Sequence, residues 1–157
     1  MHKHERSLAA LCLWFACIGA GFAYDTPEAL IEAVYAPYFD GEIPTEEEQA
    51  MQRSSELNTL FDAAYAATPE GDMGPLDFDP LVDGQDFDLA DLVIGAPEID
   101  TAVDVGTVEV SFTNFGEPRV LTFTVVKEAD GWHYLDVSRE TPEYSYSLID
   151  ILQTYEP

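Results

Sequence analysis

Two spacings of apolar residues divide the chain. In the first half they recur every three or four positions, as on one face of a helix; further on they alternate with polar residues, as in a strand with one buried face. In DTPEALIEAVYAPYF the helical stripe is Leu30, Ala33, Val34 and Tyr38. Thr26 suits the N-cap, Pro27 the first helical position and Glu28 the positive end of the dipole. Pro37 lacks an amide hydrogen, which predicts a kink or an end near Ala36. After a loop over residues 40–44, Thr45 and Glu48 form a capping box that opens a second, longer helix. Its stripe is Met51, Leu57, Leu60, Phe61, Ala64 and Tyr65, and Thr68-Pro69-Glu70-Gly71 stops it.

Four strands follow. DLADLVIGAPEI is the first. In the second, Val108, Val110 and Phe112 alternate with Glu109, Ser111 and Thr113; in the third, Leu121, Phe123 and Val125 alternate with Thr122 and Thr124; GWHYLDVS is the fourth. Asn114-Phe115-Gly116 and Asp130-Gly131 supply hairpin turns. The tail YSYSLIDILQTYEP reads as a short helix with Leu148, Ile151 and Leu152 inward. Segregated helices and antiparallel strands predict an α+β domain: N-terminal helices on a curved four-stranded sheet, with a concave mouth.

Between the two halves lies DFDPLVDGQDFDL, residues 77–89, with five aspartates at Asp77, Asp79, Asp83, Asp86 and Asp88. Neither register meets the EF-hand pattern: counting from Asp79 places Leu81 and Ala90 at ligand positions, and counting from Asp77 places Leu81 at another. Three readings stay open. Calcium could sit in an irregular oxygen cage of these aspartates. The stretch could be a structural tie, with aspartates capping turns, Gly84 taking positive φ and Gln85 bridging loop to sheet. Or Gln85 and Asp86 could form the polar lip of a cleft.

The leader changes the picture of composition. MHKHERSLAALCLWFACIGAGFAYD has basic residues at Lys3 and Arg6, an apolar run from Ser7 to Ile18, and small residues at Gly21 and Ala23. This predicts a secretory signal over residues 1–23, cleaved after Ala23, and a single domain over 24–157 in the periplasm or outside the cell. A membrane anchor would need a longer unbroken run, and lipidation at Cys17 a better approach than Trp14-Phe15-Ala16. Both cysteines, Cys12 and Cys17, lie in this leader, so residues 24–157 have no disulfide or thiolate chemistry. The formal charge of the chain is −25, and it becomes −26 without the leader, because Lys3, Arg6 and Glu5 leave together. Only Arg53, Arg119, Lys127 and Arg139 then remain positive. Such a surface repels nucleic acid and anionic membranes; it attracts cations or serves as a solvated, salt-adapted face.

Several of these residues form a pattern that resembles the secreted bacterial family called domain of unknown function 3828, within the nuclear transport factor 2-like (cystatin-like) cone fold. They are Tyr35 and Tyr38; Asp79-Pro80 followed by Gln85-Asp86; Ala102-Val103 with Val108-x-Val110; and Gly131-Trp132-x-Tyr134-x-Asp136-Val137, then Ser147-Leu148-x-x-x-Leu152. Leu81 stands where the pattern expects an aromatic residue. The resemblance implies a cone-type fold and no known activity.

Chemistry is thin. His133 is the only histidine beyond the leader; its strand parity opposes Trp132, Tyr134 and Asp136, so it faces away if those three face the concave side. A plain two-residue period puts Asp136 on the face of Trp132 and Tyr134, where desolvation would suit an acid or base; its bland alternative is a strand-end carboxylate paired with Arg119 or Arg139. Three functions compete. The first is a non-catalytic periplasmic ligand-binding or protein-interaction module using Gln85, Asp86, Trp132, Tyr134 and Asp136. The second is a small cone-fold isomerase, dehydratase or hydrolase using Asp136 with Tyr134. The third is a calcium-stabilised structural module. Partner identity and oligomeric state are not encoded in these patterns.

Overall fold

A computed structural model describes residues 24–157; the signal-sequence, cleavage and Cys17 readings lie outside the described residues. The chain is α+β, with four helices and an unclosed, curved antiparallel sheet. Helices α1 (Pro27–Phe39), α2 (Glu46–Gln52) and α3 (Ser55–Ala67) come first. Strands β1 (Leu89–Ile94), β2 (Glu98–Asp100), β3 (Val105–Asn114), β4 (Glu117–Glu128), β5 (Gly131–Glu140) and β6 (Ser145–Ser147) follow, and α4 (Leu148–Thr154) closes the chain. The strand order is β1-β3-β4-β5-β6, with β2 also paired to β3. Among the described residues no helix is long and apolar enough to cross a membrane.

The sheet has six strands rather than four. The stretch read as one first strand is two, because Gly95-Ala96-Pro97 interrupts it. Gly95 sits so close to the Glu109 carbonyl that a Cβ would lie 2.9 Å from that oxygen. The extra edge strand β6 comes from Ser145–Ser147, within the tail whose pattern predicts only a short helix. That helix starts one residue later, where the Ser147 hydroxyl caps Asp150 N–H. The outer strand β1 carries a bulge at Asp91, whose φ is +56°, and β6 is only three residues long.

The alternation seen in the sequence builds the core. Val108, Val110 and Phe112 from β3 and Leu121, Phe123 and Val125 from β4 are buried together with Leu30, Ile31, Val34 and Tyr35 of α1. The β3–β4 hairpin turns on Phe115 and Gly116, whose φ values of +51° and +78° give the mirror-image turn that matches strand twist.

The helix bounds differ from the pattern in two places, the first being that Pro37 does not end α1. Pro37 lies inside α1, which runs on to Phe39. The missing bond is offset by Tyr38, whose buried ring meets Phe87 edge-on at 5.1 Å. The long second helix is two helices, broken at Arg53 and Ser54, which have ψ of 148° and 159°. Arg53 is buried: its Nε donates to Asn58 at 2.9 Å, its guanidinium pairs with Glu46, and it stacks 4.0 Å over Phe61. Ser54 N–H donates to the Tyr134 carbonyl at 2.8 Å, so the break covers the free edge of β5. Ser54 then caps α3 through Leu57 N–H.

Candidate functional site

A cleft of about 500 Å³ lies between α2, α3, the loop over residues 73–85, β5 and the start of α4. Its walls include Phe61, Tyr65, Phe78, Leu81, Tyr134 and Leu148. Helical spacing places Phe61 and Tyr65 one turn apart, and their rings lie nearly parallel at 6.2 Å. Gly74 runs against the Tyr65 ring, where a Cβ would meet Cε1 at 2.6 Å, so a larger residue there would have to displace that ring. Polar atoms come from Gln49, Gln85, Glu46, Asp77 and Asp79. Burial pushes the Tyr134 hydroxyl well above its ordinary range, so it stays a neutral O–H.

Of the five residues expected at a binding mouth, Gln85 and Tyr134 line this cleft. Asp86 is exposed and, with Gln85, Phe87 and Phe115, borders a second hollow of about 380 Å³. Trp132 and Asp136 are outside the cleft. The shared face expected for Trp132, Tyr134 and Asp136 does not exist. Tyr134 pairs with Val125 and Asp136 with Thr124, so Leu135 is an extra residue and the side-chain parity inverts across it. Val137, not Asp136, returns to the core. His133 pairs with Val126 and keeps the parity opposite to Trp132 and Tyr134 expected of it, but the extra residue brings Asp136 to the same side as His133 instead of the opposite one.

Asp136 is committed to α4: Oδ2 accepts from the Ser147 hydroxyl at 2.9 Å and Oδ1 from Ile149 N–H at 3.0 Å. Its expected partners Arg119 and Arg139 bind Asp83 instead. We expect Asp136→Asn to lower stability by about 1 kcal/mol, since one of the two acceptors becomes a donor. A urea titration checks this; an unchanged midpoint would show that α4 docks without these bonds.

The aspartate stretch is a tie, and its details differ from the sequence reading. Asp79 forms an Asx-turn, with Oδ1 accepting from Leu81 N–H at 2.9 Å. Its Oδ2 accepts from the Tyr38 hydroxyl at 2.5 Å. Asp83, not Gly84, takes positive φ, at +52°. Gly84 allows a close approach: a Cβ would lie 3.1 Å from the Asp86 carbonyl oxygen and 3.3 Å from Asn114 Nδ2, so these neighbours would have to give way by a few tenths of an ångström. Gln85 does not reach the sheet; its Nε2 donates to the Asp77 carbonyl within the loop. Asn114 makes the link instead. Its Nδ2 donates to the Val82 and Asp86 carbonyls at 3.1 and 3.2 Å, and its Oδ1 accepts from Asp88 N–H at 2.9 Å. Tyr35 and Tyr146 add bonds to the Leu81 and Pro80 carbonyls. Leu81 and Val82 are thereby held in the core. The sequence pattern marks Asn114 only as a turn residue; its role follows from its burial, which obliges its amide to find several partners.

Asp83 is nearly buried between Arg119, at 2.9 Å, and Arg139, which contacts the same oxygen. Asp77, Asp86 and Asp88 are exposed. Among the described residues the group whose ligand-type atoms converge is a different one: Glu128, Asp130 and His133, within 4.8 Å of one another. There Glu128 Oε1 already accepts from the Ser55 N–H and hydroxyl at 2.8 Å each, and Asp130 meets His133 Nε2 at 3.0 Å.

Burial is the largest influence on Asp79 and holds its carboxyl above the usual aspartate range, while the Tyr38 O–H and Leu81 N–H pull the other way. The native state therefore binds this proton more readily than the unfolded chain does. The associated stability is present at acid pH and declines as pH rises from the unfolded toward the folded pKa.

Fold and cleft together define an α+β domain with a half-open, aromatic-walled hollow. No family model, no curated protein and no solved structure matches this chain.

Proposed function

We propose that this chain is an exported, non-catalytic binding module that holds a small molecule in the cleft beside Tyr134. The observation that carries this reading is the lining itself. Within a volume typical of ligand sites it offers aromatic and aliphatic walls with a few polar atoms, and among the described residues no serine, threonine, cysteine, histidine or lysine. Serine–histidine, cysteine–histidine and serine–lysine pairs cannot be built from these lining residues. The enzyme reading would rest on Asp136, whose oxygens are spent on α4 outside this hollow. We read the bent sheet with α1 against its inner face as a cone-type arrangement of the nuclear transport factor 2-like kind. Tyr35, Tyr38 and Asp79-Pro80, all in the resemblance pattern, support this by meeting at one joint.

Met73 lines the cleft and is 73 % exposed, so a larger residue there can fill the mouth without disturbing the core. Ligand-observed NMR with a fragment library should give binders that Met73→Trp displaces while the melting temperature stays unchanged. Binders indifferent to this plug, or none at all, would refute the reading.

A further inference from the structure

The cleft has a charge pattern that its shape does not require. Glu46, Asp77 and Asp79 line it, and among the described residues no lysine, arginine or histidine does. Glu46 is already neutralised by Arg53. Asp79 is not neutralised: among the described residues no cationic side chain pairs with it. Its two oxygens each accept one bond, from Tyr38 and from Leu81, which leaves acceptor capacity on a carboxylate with about four lone-pair sites.

The chain has little with which to supply that missing charge. Beyond the leader it has four basic residues. Arg53 is held by Glu46 and Asn58, and Arg119 and Arg139 both converge on Asp83. Lys127 lies on β4, opposite Trp132 and outside the cleft lining. A partly desolvated carboxylate without a counter-ion is costly, and the cost falls when a ligand brings the opposite charge. The rings of Tyr65, Phe78 and Tyr134 present aromatic surface to the same space, and aromatic faces favour cations. The field of a strongly acidic surface adds a general attraction for cations at longer range.

We propose that the cleft takes a small organic monocation, an ammonium group on an apolar or aromatic body, with Asp79 as its counter-ion. This rests on the cleft being the binding site and names the class of molecule bound there. The ammonium donates toward the free lone pairs of Asp79, while the body lies between Tyr65, Phe78 and Leu148. An anion of the same shape is excluded by Asp77 and Asp79.

Three probes of one shape test it: phenethylammonium, 2-phenylethanol and 3-phenylpropionate, titrated into the isotopically labelled protein at near-physiological salt so that diffuse attraction is screened. Phenethylammonium should shift the resonances of Tyr65, Phe78 and Tyr134 and bind at least about tenfold more tightly than the alcohol, the margin of one charge-assisted hydrogen bond. Phenylpropionate should bind most weakly. Asp79→Asn should remove the advantage of the ammonium and leave the alcohol unaffected. Equal binding of ammonium and alcohol in the cleft would sink the cation inference and leave the cleft reading standing. So would ammonium shifts spread over exposed acids instead of the cleft rings. If none of the three probes perturbs the cleft, both readings fall. The comparison among probes on the unsubstituted protein decides the matter even if the Asp79 variant does not fold.

Discussion

Replacing Asp83 by asparagine should lower stability by about 2–3 kcal/mol, a fall of roughly 10 °C in melting temperature. Asparagine tolerates the left-handed backbone, so the φ of +52° is kept and the loss isolates the charge. The Asp83 side chain is 5 % exposed, and the guanidinium groups of Arg119 and Arg139 both meet its Oδ2. Without the carboxylate these two cations, each about one-fifth exposed, face one another across the loop. Partial access to water reduces the cost relative to a fully buried pair and sets the lower end of the range. Thermal unfolding at low and high salt checks the prediction. The deficit should shrink with salt as the repulsion is screened. A loss below about 0.5 kcal/mol, within the range of ordinary surface substitutions, would show that the arginines are solvated well enough alone.

Phe123→Ala should be more damaging, at about 4 kcal/mol. Phe123 is fully buried at the middle of β4, with Tyr35 at 6.1 Å and Tyr134 at 5.8 Å, both edge-on. Removing the ring takes away apolar burial and leaves a void that a sheet centre and a helix cannot both close. Phe123→Leu should cost well under half as much, because most of the volume remains. Guanidinium titrations with unchanged slope would place the effect in the native state; a loss under about 2 kcal/mol for alanine would mean that α1 collapses onto β4. Since Tyr134 lines the cleft and leans on Phe123, the alanine variant should also lose ligand binding that the leucine variant keeps.

Most of the framework could be read from local pattern because local pattern produces it. The caps at Thr26 and Thr45, the alternation in β3 and β4 and the two hairpin positions depend on residues a few positions apart. What escaped depends on distant partners. The break at Arg53 follows from burying an arginine between Asn58, Glu46 and the Phe61 ring, and from the β5 edge that waits for it. The signal at Ser54, a good cap followed by Glu56, was masked by the continuous apolar stripe across it. The extra residue Leu135 leaves no mark in an apolar-polar pattern, so Asp136 was assigned to the wrong side of β5. The cleft was half legible. Tyr134 and Gln85 were anticipated, but its aromatic walls come from α3 and from a loop whose course is fixed by Asn114 and two tyrosines far away in sequence.

The bulge at Asp91 and the brevity of β6 bear on how the protein behaves in a crowd of its own copies. A straight outer strand offers a row of free amide and carbonyl groups that a neighbour can join, and such joining propagates into fibrils. Here one margin is twisted out of line at a charged residue, and the other is too brief to template a growing stack. Among the described residues neither border of the sheet, with β2 as short as β6, offers a straight run for edge-to-edge growth into filaments.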